Sequence, residues 1–174
     1  MQIHNPHTLQ DHFLTAILES VQAVSECFLA GQVTPMNKTF SDDDAHRLSL
    51  HQKTVASIQF SGKIQGGVYI SSSSHTTALL AQAFLEEEHH SDTKAQDAFG
   101  ELANIIAGGV QCRCEKIVGK IDISTPMITI GMNHVTRKEM SPIKKIRQYF
   151  SIQEHNFLIE AYLSPSTHSG SSSF

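Results

Sequence analysis

Long apolar runs, a basic stripe and a cysteine framework are all missing from this 174-residue chain, and each absence removes a class of function. No apolar run reaches the roughly 20 residues needed to span a bilayer. The start, Met1-Gln-Ile-His-Asn-Pro-His7, lacks the basic opening and apolar centre of a secretory leader, so a cytoplasmic protein is expected. Thirteen Lys and Arg against 17 Asp and Glu leave a net charge of −4, with no cationic track of the kind that follows a phosphate backbone, which argues against nucleic acid as a partner. Three cysteines, Cys27 alone and Cys112 and Cys114 two apart, make no disulfide framework and fit a reducing compartment. Asp42-Asp43-Asp44 lacks the glycine and terminal glutamate of a calcium loop and reads as an acidic connection. Eleven histidines, including His89-His90, have no carboxylate or cysteine companions at ligand spacing, so no metal site is assigned.

What is present is enough apolar content, 40%, for one buried core, and a helical stripe with chemistry on it. In residues 97–109, Phe99, Leu102, Ile105, Ile106 and Val110 repeat at the spacing of an amphipathic helix. Glu101 and Asn104 fall away from that face, with Asp97, Gly108 and Gln111 on the same side and Gly100 in line with Asn104. A glycine inside a helix costs about 1 kcal/mol relative to alanine. Two of them bracketing an exposed asparagine therefore predict that something large docks closely there. Cys112 and Cys114 point about 200° apart on this helix and do not form one site.

Around that helix the pattern reads as an α+β domain. Thr8 and Asp11 form a capping pair for a first helix ending at Gly31. Residues 56–70 alternate as a hairpin with a longer turn marked by Ser61-Gly62 and Gly66-Gly67. Ser71–Ser74 caps a second helix to about Glu88, whose three C-terminal glutamates oppose the helix dipole. Ile121 to Ile130 is a strand broken at Pro126, and residues 132–144 are a polar, basic connection. Residues 146–163 form the last hairpin, turning at Glu154-His155-Asn156, and the serine-rich stretch 164–174 is a flexible tail outside the domain of residues 1–163.

Three strings carry a family resemblance: Ile58-Gln-Phe-Ser-Gly-Lys-Ile-Gln-Gly-Gly-Val68, Asp97-Ala-Phe-Gly-Glu-Leu-Ala-Asn-Ile-Ile-Ala-Gly108 and Ile123-Ser-Thr-Pro-Met-Ile-Thr-Ile-Gly131. With the element order, they make residues 8–163 resemble the CheX family of chemotaxis phosphatases, relatives of CheC and the flagellar switch phosphatases. The resemblance implies a mixed α+β single domain, a β-sheet packed with two long helices and one shorter helix, in a homodimer joined through sheet edges with the motif helices left open. It also implies a catalytic Glu-x-x-Asn pair at Glu101 and Asn104. Glu101 would pair with the active-site lysine of a phosphorylated CheY-like response regulator, and Asn104 would orient the water that attacks its phosphoaspartate. Mg²⁺ would sit on the regulator, with no cofactor on this chain.

The regular spacing of Glu19 and Gln22 on the first helix is a weaker echo of the pair, with glutamine in place of asparagine. Two other classes stay open from residues alone: a non-catalytic adaptor that binds a receiver through the same helix, and a metal- or redox-responsive module built on the histidines or on Cys112 and Cys114.

Overall fold

The computed structural model describes residues 8–37, 54–131 and 144–165, and among them period-3.6 repeats fall on three helices and most of the period-2 repeats on seven strands. The helices are α1 (Leu9–Phe28), α2 (Ser74–Leu85) and α3 (Asp92–Val118). The strands are β1 (Val33–Pro35), β2 (Thr54–Gly62), β3 (Ile64–Ser72), β4 (Ile121–Ile123), β5 (Met127–Ile130), β6 (Lys144–Ile152) and β7 (His155–Pro165). The acidic run at 42–44, most of the basic connection and the tail beyond residue 165 lie outside the described residues.

All strand pairs are antiparallel, in the order β1-β6-β7-β3-β2-β4, with β5 also on β2. Alternation sends Ala56, Ile58 and Phe60 of β2, Val68 and Ile70 of β3, and Phe157, Ile159, Ala161 and Leu163 of β7 to one face, where they meet Phe13, Ile17 and Val21 of α1 and Phe99, Leu102, Ile106 and Val110 of α3. Each such side chain, fully buried, contributes about 1.5–3 kcal/mol of apolar transfer. The result is an α+β domain of one sheet under three helices, two of them long. On the opposite face Glu160 is buried and accepts from Arg147 Nε at 2.6 Å and Lys145 Nζ at 3.1 Å.

Helix ends follow the local chemistry. Thr8 and Asp11 form a capping box, the Thr8 N–H donating to Asp11 at 2.8 Å. Ser73 and Ser91 cap α2 and α3 by accepting from Thr76 N–H and Lys94 N–H. The first helix stops at Phe28, and Gly31, at φ +71°, donates back to Ser25 O at 2.8 Å to close the turn.

Several expectations are corrected by position. The β2–β3 pairing ends at Phe60 opposite Gly66, leaving residues 61–65 as the longer turn expected, but Gly66 and Gly67 do not mark that turn and lie inside β3. Gly66 is needed there because a Cβ would collide with the Tyr162 carbonyl of β7. The last hairpin turns at Gln153-Glu154, both at positive φ (46° and 67°), as a two-residue turn of matching twist requires, so His155 and Asn156 are strand residues. β7 continues through Ser164 and Pro165, opposite Gln65 and Ile64, two residues past the domain boundary read from the sequence. α2 ends at Leu85, before the glutamates.

Candidate active site

The 27-residue helix α3 is anchored on three sides and open on the fourth. Its inner face (Phe99, Leu102, Ala103, Ile106, Ala107, Val110) is buried in the core, and Ala95 and Ala98 pack on Ala81 of α2. Toward α1, Arg113 donates to Glu19 at 3.0 Å and to the Gly109 carbonyl at 3.1 Å. There the helices approach so closely that a Cβ on Gly109 would lie 2.8 Å from Ser20 Oγ. Toward the sheet edge, Gln111 Nε2 donates to Ile121 O at 2.6 Å while Ile121 N–H donates to Glu115 at 2.9 Å. Two side chains one turn apart thus clamp β4 as a neighbouring strand would.

The open side carries Asp97, Glu101 and Cys112, all exposed, with Asn104 and Gly108 half-buried at its margin. Among the described residues, neither the Glu101 carboxylate nor the Asn104 amide is hydrogen-bonded or ion-paired within the chain. One turn separates them, so both project from the same stretch of helix. A Cβ built on Gly108 meets nothing within 4 Å. No packing contact inside the fold requires this glycine, although it weakens the helix by about 1 kcal/mol.

Two residues expected on this surface are placed elsewhere. Gly100 is buried, and its hypothetical Cβ lies 3.4 Å from Ile128 Cδ1, so the glycine seats β5 against the helix and does not open the stripe. The Gln111 amide is committed to the β4 clamp. A helical wheel locates both on or beside the polar side, but it carries no information about the strand that lies along that edge.

The echo on α1 is engaged internally. Glu19 is paired with Arg113, and Gln22 Nε2 donates to Glu26 at 2.9 Å. His90 Nε2 donates to the Ala78 carbonyl at 3.1 Å, tying the α2–α3 loop to α2. Among the described residues there is no group of three or more His, Cys, Asp or Glu side chains that could hold a metal. Of the two neighbouring thiols, Cys112 faces solvent; Cys114 is buried, and desolvation pushes its pKa from 9.0 up to about 12 against the opposing charge of Arg113. One surface feature escaped the sequence reading. Ile128 and Ile130 alternate like a buried face, yet Ile130 is 52% exposed, because β5 is an edge strand.

The site is thus a single antiparallel sheet under a long helix that presents an unengaged carboxylate and amide one turn apart. The family model described as chemotaxis phosphatase CheX matches residues 54–151, more than half of the chain, and the chain belongs to that family. No curated protein matches it in sequence. Among solved structures, chemotaxis protein CheX from Vibrio vulnificus is similar over 91% of this chain and 100% of its own, at 19% identity and a TM-score of 0.72. A CheC-like superfamily protein from Shewanella sp. PV-4 is similar over 88% of this chain and 97% of its own, at 22% identity and a TM-score of 0.71. The CheX–CheY–BeF3–Mg²⁺ complex from Borrelia burgdorferi is similar over 90% of this chain and 97% of the matched chain, at 15% identity and a TM-score of 0.64. At these identities the structures share a fold. No helix among the described residues is long and apolar enough to cross a membrane.

Proposed function

We propose that this member of the CheX family hydrolyses the aspartyl phosphate of a CheY-like response regulator in the cytoplasm, with Glu101 as the docking carboxylate and Asn104 as the water-positioning amide. The observation that carries the reading is the open, internally unengaged Glu101–Asn104 pair beside Gly108. The Borrelia burgdorferi relative, in its complex with CheY, BeF3 and Mg²⁺, supports the choice of partner. Beryllofluoride stands in for the phosphoryl group on a receiver aspartate, and in this reading Mg²⁺ is carried by the regulator.

An acylphosphate is already activated, so the enzyme has mainly to position and to stabilise charge. The Asn104 carboxamide accepts a hydrogen bond from water and holds its oxygen in line with phosphorus. The new P–O bond forms as the bond to the aspartyl oxygen breaks; the carboxylate leaves with the electron pair, and the water's proton goes to solvent and phosphate. A neutral amide offers no competing nucleophile and forms no covalent intermediate. Glu101 pairs with a lysine of the receiver and fixes the register of α3 over the phosphate. Asp97 and Gly108 border the docked surface. The sheet edge at β1, on the far side of the sheet from β5, suits pairing with a second copy, and a homodimer joined there leaves α3 accessible.

Phosphate release from a CheY-type receiver charged with a small phosphodonor tests the reading. Acceleration by the parent and none by Asn104→Ala is expected. Binding of the charged receiver without acceleration would make the chain an adaptor.

A further inference from the structure

Residues 121–131 form a wall beside the motif helix that the mechanism above does not use. It is held at two points. Gln111 and Glu115 clamp the backbone of Ile121, and Ile128 fills the notch left by Gly100. Residues 121–128 therefore run alongside residues 100–111, the stretch that contains Glu101 and Asn104, and Gly100, Asn104 and Gln111 lie along the edge of α3 that faces them.

Side chains alternate along β5, so Ile130 shares the helix-side face with Ile128, whereas Met127 and Thr129 point to the other face of the sheet. Ile128 is half-covered by α3; Ile130, one step further on, is 52% exposed. The outcome is an apolar ledge, Ile128 and Ile130, that runs along the edge of α3 from Gly100 toward the turn carrying Asp97. Single exposed isoleucines are ordinary on protein surfaces. This one stands one strand step beyond Ile128, which packs on Gly100 next to Glu101, on a wall fastened to the motif helix.

We propose that Ile130 is a specificity-determining contact for the phosphorylated partner, seating an aliphatic or aromatic side chain that borders the receiver's phosphorylation pocket. The inference rests on the receiver-phosphatase reading of Glu101 and Asn104. The partner it fits has an apolar residue on the rim of a pocket holding a phosphoaspartate and a lysine. Ile130 touches no reacting atom, so it contributes to the encounter complex and the transition state alike and shows in KM.

The test is a titration of phosphorylated CheY-type receiver against the full chain, with Ile130→Asn, Ile130→Leu and Ile117→Asn beside the parent. Ile117 is a control because it is 54% exposed, near the C-terminal end of α3. Ile130→Asn is expected to raise KM about ten-fold with kcat within about two-fold, the order expected for losing one partly buried aliphatic contact. Ile130→Leu and Ile117→Asn are expected to match the parent. An unchanged KM in Ile130→Asn, or an equal rise in Ile117→Asn, would overturn the inference. If the parent releases no phosphate, the phosphatase reading fails separately, and affinity for the beryllofluoride-charged receiver then decides. Weaker binding by Ile130→Asn alone sustains the ledge; equal binding by all four proteins, or no binding by the parent, overturns it.

Discussion

Three glycines lie within ten residues of α3, and alanine at each should act differently, with Gly108→Ala the decisive case. Its new methyl meets nothing within 4 Å. The substitution should therefore deliver nearly the full helix-propensity gain of about 1 kcal/mol. For a chain of this size that raises Tm by about 2–4 °C. The same methyl stands about 1.5 Å proud of the helix, on the side where the receiver must approach. A displacement of about 1 Å in a positioned reaction can cost about 100-fold in rate. Gly108→Ala is thus expected to be more stable and about 100-fold poorer in kcat/KM.

Gly100→Ala places its Cβ 3.4 Å from Ile128 Cδ1, a contact the side chain absorbs, so stability should change by less than about 1 kcal/mol and turnover by less than about two-fold. Gly109→Ala meets Ser20 Oγ at 2.8 Å and Ser20 Cβ at 3.0 Å, atoms close to the α1 backbone. Overpacking there costs about 1–3 kcal/mol, more than the propensity gain, so Tm should fall. Thermal unfolding and phosphate-release kinetics on the three variants read both quantities. A Gly108→Ala protein that is more stable and fully active would refute the argument that this glycine exists for a partner's close approach.

Glu101→Gln removes the docking charge, so the parent's steep loss of kcat/KM with added salt should flatten in the variant; parallel salt profiles would exclude the ion pair. Iodoacetamide at pH 8 should modify Cys27 and Cys112 quickly and leave Cys114 unreacted by mass spectrometry, because its buried thiol holds its proton. The same raised pKa means the fold favours the protonated thiol. That stabilisation is complete below pH 9 and fades as pH climbs from about 9 toward about 12, so a Cys114→Ala variant should show a shallower alkaline loss of stability. Glu160→Gln removes the buried carboxylate charge that Arg147 and Lys145 share on the far face of the sheet and should lower stability by about 2 kcal/mol in denaturant titration, with phosphate release per folded molecule unchanged.

The sequence made α3 legible because its apolar repeat is long and regular: Phe99, Leu102, Ile106 and Val110 are buried, and Glu101 and Asp97 are exposed, as their spacing requires. The capping box at Thr8 was equally readable, being a contact three residues apart. What the sequence withheld depends on neighbours distant in the chain. Gly100 lies under Ile128, and Gln111 is tied to Ile121, because a broken edge strand runs along that side of the helix; periodicity within a helix contains no trace of it. β1 is three residues long and ends in a proline, too short for alternation to register, and is defined by its pairing with Phe150–Ile152. The turn at Gln153-Glu154 has neither glycine nor asparagine, so the usual signal for positive φ was absent.

The central claim is that Asn104 acts on the receiver's phosphate and not merely on its surface. The most direct measurement is the single-turnover decay of a phosphorylated CheY-type receiver under saturating protein, parent against Asn104→Ala, with binding of the beryllofluoride-charged receiver and Tm measured on the same samples. The account predicts fast decay with the parent, decay at the receiver's intrinsic rate with Asn104→Ala, and equal binding and stability in the two. Equal decay rates at saturation, whether both fast or both slow, would contradict it.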